Sequence, residues 1–223
     1  MNAFEQRAEA AVESDDRVDA TNLHRQIFHG VGSIGELKVD SLGRAARARF
    51  PDVVIEGHPV RFDAAAAGRL VDAYDVIVDG SDNFATKFLA NDAAVLAGRP
   101  LVHAAAVGLG GQLLTVPAGG RPCYRCLFEE LPAPGVGPSC AEAGVLGPVP
   151  GVLGALQGAE AARLLRRETP AFAGRLIRYD SASMGLRTVI FDANPLCGVC
   201  GPAPSILRLD PSAYPIPACA PTG

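Results

Sequence analysis

Four cysteines stand in two C-x-x-C pairs, Cys123 and Cys126 in RPCYRC and Cys197 and Cys200 in PLCGVCG. Two such pairs supply the four thiolates of a closed tetrahedral zinc site, which leaves no position open for a substrate. A redox dithiol or two unrelated pairs is the competing reading, but one redox pair needs no second copy. A second group is VDGSDN, with Asp79, Ser81, Asp82 and Asn83 between a strand-like run and a helical one. Open α/β sheets bind ligands at the C-terminal ends of their strands, and a helix N-terminus there favours anions. Asp82 in that place suits a Mg²⁺ that bridges phosphates, while Ser81, Asp82 or Asn83 equally suits a helix cap. Cys140, in PSCAEAGV, is either a nucleophilic thiol or a small packing residue, and Cys219 is read only as an exposed thiol. TNLHRQIFHG, residues 21–30, gathers Asn22, Arg25 and two histidines close to the start. His58 and His103 are isolated and read as packed residues. The glycines of VGLGGQLLTV lead into a strand rather than a helix, which marks a tight strand connection and not a phosphate loop.

These residues need a scaffold, and the chain alternates strand-like runs at 53–60, 75–82 and 100–107 with helical patterns at 36–50 and 83–98. That alternation predicts a parallel α/β sheet. Runs at 111–118, 174–182 and 187–192 have no long helices between neighbours and predict an antiparallel extension. A Pro- and Gly-rich stretch at 127–144 is long enough to be functional. The segment 151–167 is apolar nearly all round except for Gln157 and Glu160, which predicts burial in the core or in the interface of a homodimer. After Gly201 the proline-rich tail reads as a linker or surface arm.

The 223 residues carry 48% hydrophobic and 20% charged side chains with a net charge of -4. One soluble domain is expected, without the basic footprint of a nucleic-acid or anionic-membrane binder. The acidic start lacks the order of a secretory signal, and no stretch is apolar enough to span a bilayer, so a cytoplasmic location is expected. Six cysteines in such a chain favour metal or catalytic use over disulfides.

Taken in order, TNLHRQ, GELKVDS, VDGSDN, CYRC, SCAEAGVLGP and CGVCG resemble the ThiF/MoeB/HesA family of ubiquitin-activating-enzyme-like adenylyltransferases, from about Asp16 to Gly201. The resemblance implies a Rossmann-like, mostly parallel sheet with an antiparallel C-terminal extension and a four-cysteine zinc site. It implies Mg-ATP-dependent adenylylation of the C-terminal glycine of a ubiquitin-like sulfur carrier ending in Gly-Gly, as in molybdopterin or thiamine biosynthesis. The family's phosphate-binding residues fall on Asn22, Arg25 and Lys38, and its magnesium-binding Asp falls on Asp82 with Asn83 beside it. Cys140 falls where some members carry a cysteine that links covalently to the carrier.

The chain departs from the family ahead of TNLHRQ. Members carry a strand, a GxGGxG turn, a helix and a second strand there, whereas the residues before Thr21 include no Gly. The expected organisation is a divergent segment at 1–20, an adenylyltransferase domain at 21–201 lacking its first strand-loop-helix unit, and a tail at 202–223. The turn's backbone N–H groups would cradle the phosphates. A nucleotide-incompetent, zinc-stabilised relative that binds a carrier or dimerises is therefore an alternative, as is a piece of a longer enzyme. In register with the family's ribose-binding acidic pair stand Ser14, Asp15 and Asp16. The tail resembles the segment that in some members leads to a rhodanese domain, which implies a separate sulfur donor protein here.

Overall fold

The computed structural model describes residues 9–132 and 144–215. Cys140, Cys219 and most of the 127–144 stretch lie outside the described residues. The chain divides into two compact units, Met1–Phe62 and Asp63–Gly223.

In the first unit, strand β1 (Glu9–Glu13) pairs in parallel with β2 (Val54–His58), Glu9 opposite Val54 and Glu13 opposite His58. Parallel neighbours need a crossover, and helix α1 (Lys38–Arg49) supplies it. Val39 of α1 is buried against Gly57, where an added Cβ would stand 3.4 Å from that of Val39. β1 lies within the segment read as divergent, residues 1–20. Its sequence, EAAVE, has only three apolar residues between two acids, and the ladder to β2 supplies what strand propensity does not.

The second unit runs α2 (Ala64–Ala73), β3 (Ile77–Asp79), α3 (Phe84–Ala97), β4 (Leu101–Val107), β5 (Gly110–Val116), α4 (Tyr124–Leu127), α5 (Pro148–Leu165), β6 (Arg175–Asp180) and β7 (Gly185–Ile190). Its sheet has the order β3-β4-β5-β6-β7. β3 and β4 are parallel, with α3 as the crossover, and every later pairing is antiparallel. The antiparallel extension thus begins at β4, across a tight connection in which Gly108 takes φ +59°. That is the strand connection expected at VGLGGQ.

α5 packs on this sheet, with Val149 and Leu153 meeting Val102, Ala104, Leu113 and Ile177. Burial is confined to one face, however: Val149, Leu153, Gln157 and Glu160 are buried, while Val152, Ala155 and Ala159 are exposed. The two polar residues are therefore on the inner side. Gln157 Nε2 donates to the carbonyls of Asp79 and Val102, and Glu160 accepts from Thr115 Oγ1 and the Phe172 amide. They answer buried polar groups that apolar residues would leave unpaired. Among the described residues no helix is long and apolar enough to cross a membrane.

Candidate functional site

The two cysteine pairs converge although α5 and two strands separate them in sequence. Cys123 opens α4 and Cys126 lies within it, while Cys197 and Cys200 occupy a turn in which the Gly201 amide donates to the Cys197 carbonyl. The sulfurs of Cys123 and Cys197 are 3.6 Å apart, those of Cys126 and Cys200 3.3 Å, and those of Cys123 and Cys126 4.0 Å. A tetrahedral thiolate site with metal–sulfur bonds of about 2.3 Å has edges of about 3.8 Å. All four ligand atoms lie within 4.8 Å of one another, so the donor set fits one structural metal ion. Burial pushes the Cys123 thiol up, and the neighbouring thiolates push it further. Cys200 is pushed up to about 12, mainly by burial. Burial also acts upward on Cys197, but N–H groups of Cys200 and Val199 outweigh it and hold that thiol low. A bound cation reverses this penalty by stabilising the thiolates.

The residues between the first two ligands fasten the cluster to α3. The Tyr124 amide donates to Asn91 Oδ1. Arg125 grips Asp92 through Nε (2.8 and 3.0 Å) and Nη2 (2.7 Å), and its guanidinium lies 4.7 Å from the Phe88 ring centroid. Asp92 also accepts from the Tyr214 hydroxyl at 2.7 Å. Tyr214 is buried, so the tail, otherwise mostly exposed over its described residues, is anchored through it. None of Asp92, Arg125 and Tyr214 was foreseen as a unit. The available signal was the adjacent Asn91-Asp92 pair within a mostly apolar helix.

In the first unit, Asp19 caps a short 3-10 turn at Ala20–Asn22, accepting from the Thr21 amide and hydroxyl. Arg25 folds back over that turn, Nη2 donating to Asn22 Oδ1 at 2.8 Å and Nη1 to the Thr21 carbonyl at 3.3 Å. Asn22 and Arg25 are thus brought together as one polar group. Lys38 begins α1 and its Nζ pairs with Asp16 Oδ2 at 2.7 Å, so the second acid of Asp15-Asp16 is joined to the lysine. Ser14 Oγ accepts from the Asp16 amide.

That unit also spells Gly30-Val31-Gly32-Ser33-Ile34-Gly35, a G-x-G-x-x-G spacing ahead of α1. It is not a phosphate cradle. The amides of Ser33, Ile34 and Gly35 donate to the carbonyls of Gly30, Val31 and Val18, and Leu37, not a glycine, stands at the helix cap.

In the second unit, β3 delivers its C-terminal end to α3. Asn83 is the N-cap, its side chain accepting from the Thr86 amide at 2.8 Å, which realises the capping reading for this residue. Asp82 is exposed one position earlier, at the positive end of a 14-residue helix. Beside it, the buried Ser81 Oγ has no hydrogen-bond partner among the described residues.

Asp79 closes this loop from behind. Its Oδ1 accepts from the Ser81 amide at 2.9 Å, and its Oδ2 from Lys87 Nζ at 2.8 Å and His103 Nδ1 at 2.7 Å. Lys87 Nζ donates also to the Ala104 carbonyl. All three side chains are buried. Burial pushes Asp79 up, but the Lys87 ammonium and the His103 N–H outweigh it and hold the carboxyl well below the usual range. His103 is pushed down by burial and stays neutral, the packed histidine expected. Lys87, one of only two lysines, was given no function in the sequence reading.

The ThiF family profile matches residues 14–199. The chain is 44% identical over 193 residues to the SAMP-activating enzyme E1 of Haloferax volcanii, covering 86% of this chain and 71% of that protein. It is 43% identical over 195 residues to the sulfur carrier protein adenylyltransferase of Thermus thermophilus, covering 85% and 72%. With the adenylyltransferase and sulfurtransferase MOCS3 of Anopheles gambiae it shares 39% identity over 195 residues, but spans only 44% of that protein. A crystal structure of E. coli MccB superposes with a TM-score of 0.75 at 20% identity, over 87% of this chain and 60% of that one, a likeness of fold.

Proposed function

The chain belongs to the ThiF family, and from that premise we propose that it adenylylates the C-terminal glycine of a ubiquitin-like sulfur carrier, using Mg-ATP. The observation that carries the reading is Asp82, exposed at the head of α3, with the Ser81 hydroxyl beside it unpartnered among the described residues. The names of the Haloferax and Thermus relatives support it. In the reaction, an oxygen of the carrier's terminal carboxylate attacks the α-phosphorus and the bond to pyrophosphate breaks. Asp82 would hold the Mg²⁺, which would supply neutralisation of the charge on the phosphate oxygens. Arg25, steadied by Asn22, offers its remaining N–H groups to phosphate, and Lys38 adds an ammonium that Asp16 holds in place. Asn83 contributes by fixing the start of α3, whose N-terminus favours anions. Cys140 is assigned the covalent step that some members use: its thiolate attacks the acyl carbon and AMP leaves.

In this reading the thiolate cluster holds zinc, and it staples Cys123–Cys126 to Cys197–Cys200 without taking part in chemistry. The active form is a homodimer, a separate protein donates sulfur, and the thiocarboxylated carrier serves a pathway such as molybdopterin or thiamine biosynthesis. Exchange of labelled pyrophosphate into ATP, dependent on a carrier ending in Gly-Gly, tests the proposal; a folded, metal-loaded chain that supports no exchange with a panel of such carriers refutes it.

A second reading has its own observation. Among the described residues, no glycine-rich turn leading from a strand into a helix offers backbone N–H groups to phosphate, since those of Ser33, Ile34 and Gly35 are occupied. This favours a carrier-binding or dimerising relative without turnover. Calorimetric titration with Mg-ATP separates the two, because only the first requires binding that Arg25→Ala abolishes.

A further inference from the structure

Behind the Asp82 loop lies a cavity of about 10 Å³, lined by Lys87, His103, Gln112, Tyr124 and Leu176 among others. A space of about 10–15 Å³ is the room one water molecule needs. Two of its lining residues each carry a buried polar atom with no hydrogen-bond partner among the described residues, His103 Nε2 and Tyr124 Oη. The two rings stack with centroids 4.6 Å apart and planes tilted by 40°.

The hydrogen-bond roles at this cavity follow from Asp79. An ionised carboxylate only accepts, so His103 Nδ1, 2.7 Å from Asp79 Oδ2, carries the hydrogen. Burial keeps the imidazole neutral, which leaves the buried Nε2 as a bare acceptor. The Tyr124 hydroxyl is a donor in need of an acceptor. One water matches both, donating to Nε2 and accepting from the hydroxyl, and nothing apolar matches either.

We propose that this cavity is the site of one resident water, which completes a hydrogen-bond relay from the Ser81 amide through Asp79 and His103 to Tyr124. Asp79 and His103 are then positioning residues. Tyr124 follows Cys123 and is tied by its amide to Asn91, so the relay fastens the loop carrying Asp82 to the same segment that supplies two thiolates. The loop's shape is thereby set from the thiolate cluster, independently of whatever binds at Asp82.

The test uses the full chain loaded with metal. Nitrogen-15 spectra of the imidazoles, with the His103 signals identified from their loss in His103→Gln, are expected to show a neutral ring protonated on Nδ1 and hydrogen-bonded on Nε2. In Tyr124→Phe the Nε2 signal should move toward that of a free acceptor, and the Ser81 amide should exchange at least tenfold faster while the amides at the centre of β4 do not change. A ring protonated on Nε2, or an Nε2 signal and Ser81 exchange rate indifferent to Tyr124→Phe, overturns the proposal. A high-resolution crystal structure of the unaltered chain decides it without any variant: a water within hydrogen-bond distance of both atoms supports the relay, and a dry cavity refutes it. None of these signals needs turnover, so failure of pyrophosphate exchange would sink the adenylylation reading and leave the relay standing.

Discussion

Replacing Lys87 by Met isolates the charge buried behind the loop. The methionine stem fills most of the space of the lysine stem, so the change removes chiefly the ammonium that sits 2.8 Å from Asp79 Oδ2 and 2.6 Å from the Ala104 carbonyl. Breaking a buried ion pair from one side costs about 3–5 kcal/mol. An independent limit comes from proton uptake. Once Lys87 is gone, Asp79 avoids burying a bare charge by taking a proton at neutral pH, and relative to an unfolded aspartate near 3.9 that costs about 1.4 kcal/mol for each of about three pH units, about 4 kcal/mol in all. The two routes agree. For a chain of this size the melting point should fall by about 8–16 °C.

The sign of the pH dependence is diagnostic. In the unaltered chain the folded-state pKa of Asp79 is depressed, so its contribution is present above the unfolded value and lost only as the pH falls through the depressed one. In Lys87→Met that pKa is raised above the unfolded value, and the folded state gains a proton. The stability gap between the two proteins should therefore narrow by about 1.4 kcal/mol for each unit from pH 7 down to pH 5. Urea denaturation at pH 7, 6 and 5 measures it. A gap at pH 7 below about 1 kcal/mol, or one that does not change with pH, would refute the assignment of a buried ion pair.

Three further changes probe the thiolate cluster and its anchor. Gly201→Ala places a Cβ 2.5 Å from the Cys197 carbonyl oxygen and 3.0 Å from that of Pro195, so the turn holding Cys197 and Cys200 must open. Zinc affinity, measured by competition with a chromogenic chelator, should drop by about 10–100-fold, as for other disturbances behind metal ligands; an unchanged affinity counts against the turn geometry. Tyr214→Phe removes one donor to the buried Asp92 carboxylate and should cost about 1.5–3 kcal/mol in the same urea titration, whereas a tail lying loosely on the surface would cost nothing. Stripping the metal with a chelator should lower the melting point, because the thiols then keep their protons in a buried cluster; a melting point indifferent to the chelator would show that the four cysteines bind no metal.

The elements legible in the sequence were those whose pattern is self-sufficient. VVIEGHPV, PLVHAAAV and NFATKFLANDAAVLAG became β2, β4 and α3, the last ending at Gly98 in the left-handed conformation. The C-x-x-C pairs showed their convergence because metal geometry demands fixed spacings. Missed elements depend on partners that a local pattern does not reveal. β1 is stabilised by its ladder to β2, and α2, AAAAGRLVDA, has too few large apolar residues to show a face. Gln157 and Glu160 looked like interruptions in an apolar helix and proved to be the residues that satisfy buried groups of the sheet and its neighbouring segment. The same holds at the loop. Asp82 and Asn83 were visible from their place before a helix, but the roles of Lys87 and His103 depend on a carboxylate that only the folded sheet brings to them.

The central claim is acyl-adenylate formation, and mass spectrometry of a carrier ending in Gly-Gly tests it most directly. Incubated with Mg-ATP and the metal-loaded chain, the carrier should gain the mass of an adenylyl group, and Asp82→Ala should abolish that gain while the protein stays folded. No adduct with the unaltered chain, or an undiminished adduct with Asp82→Ala, would contradict it.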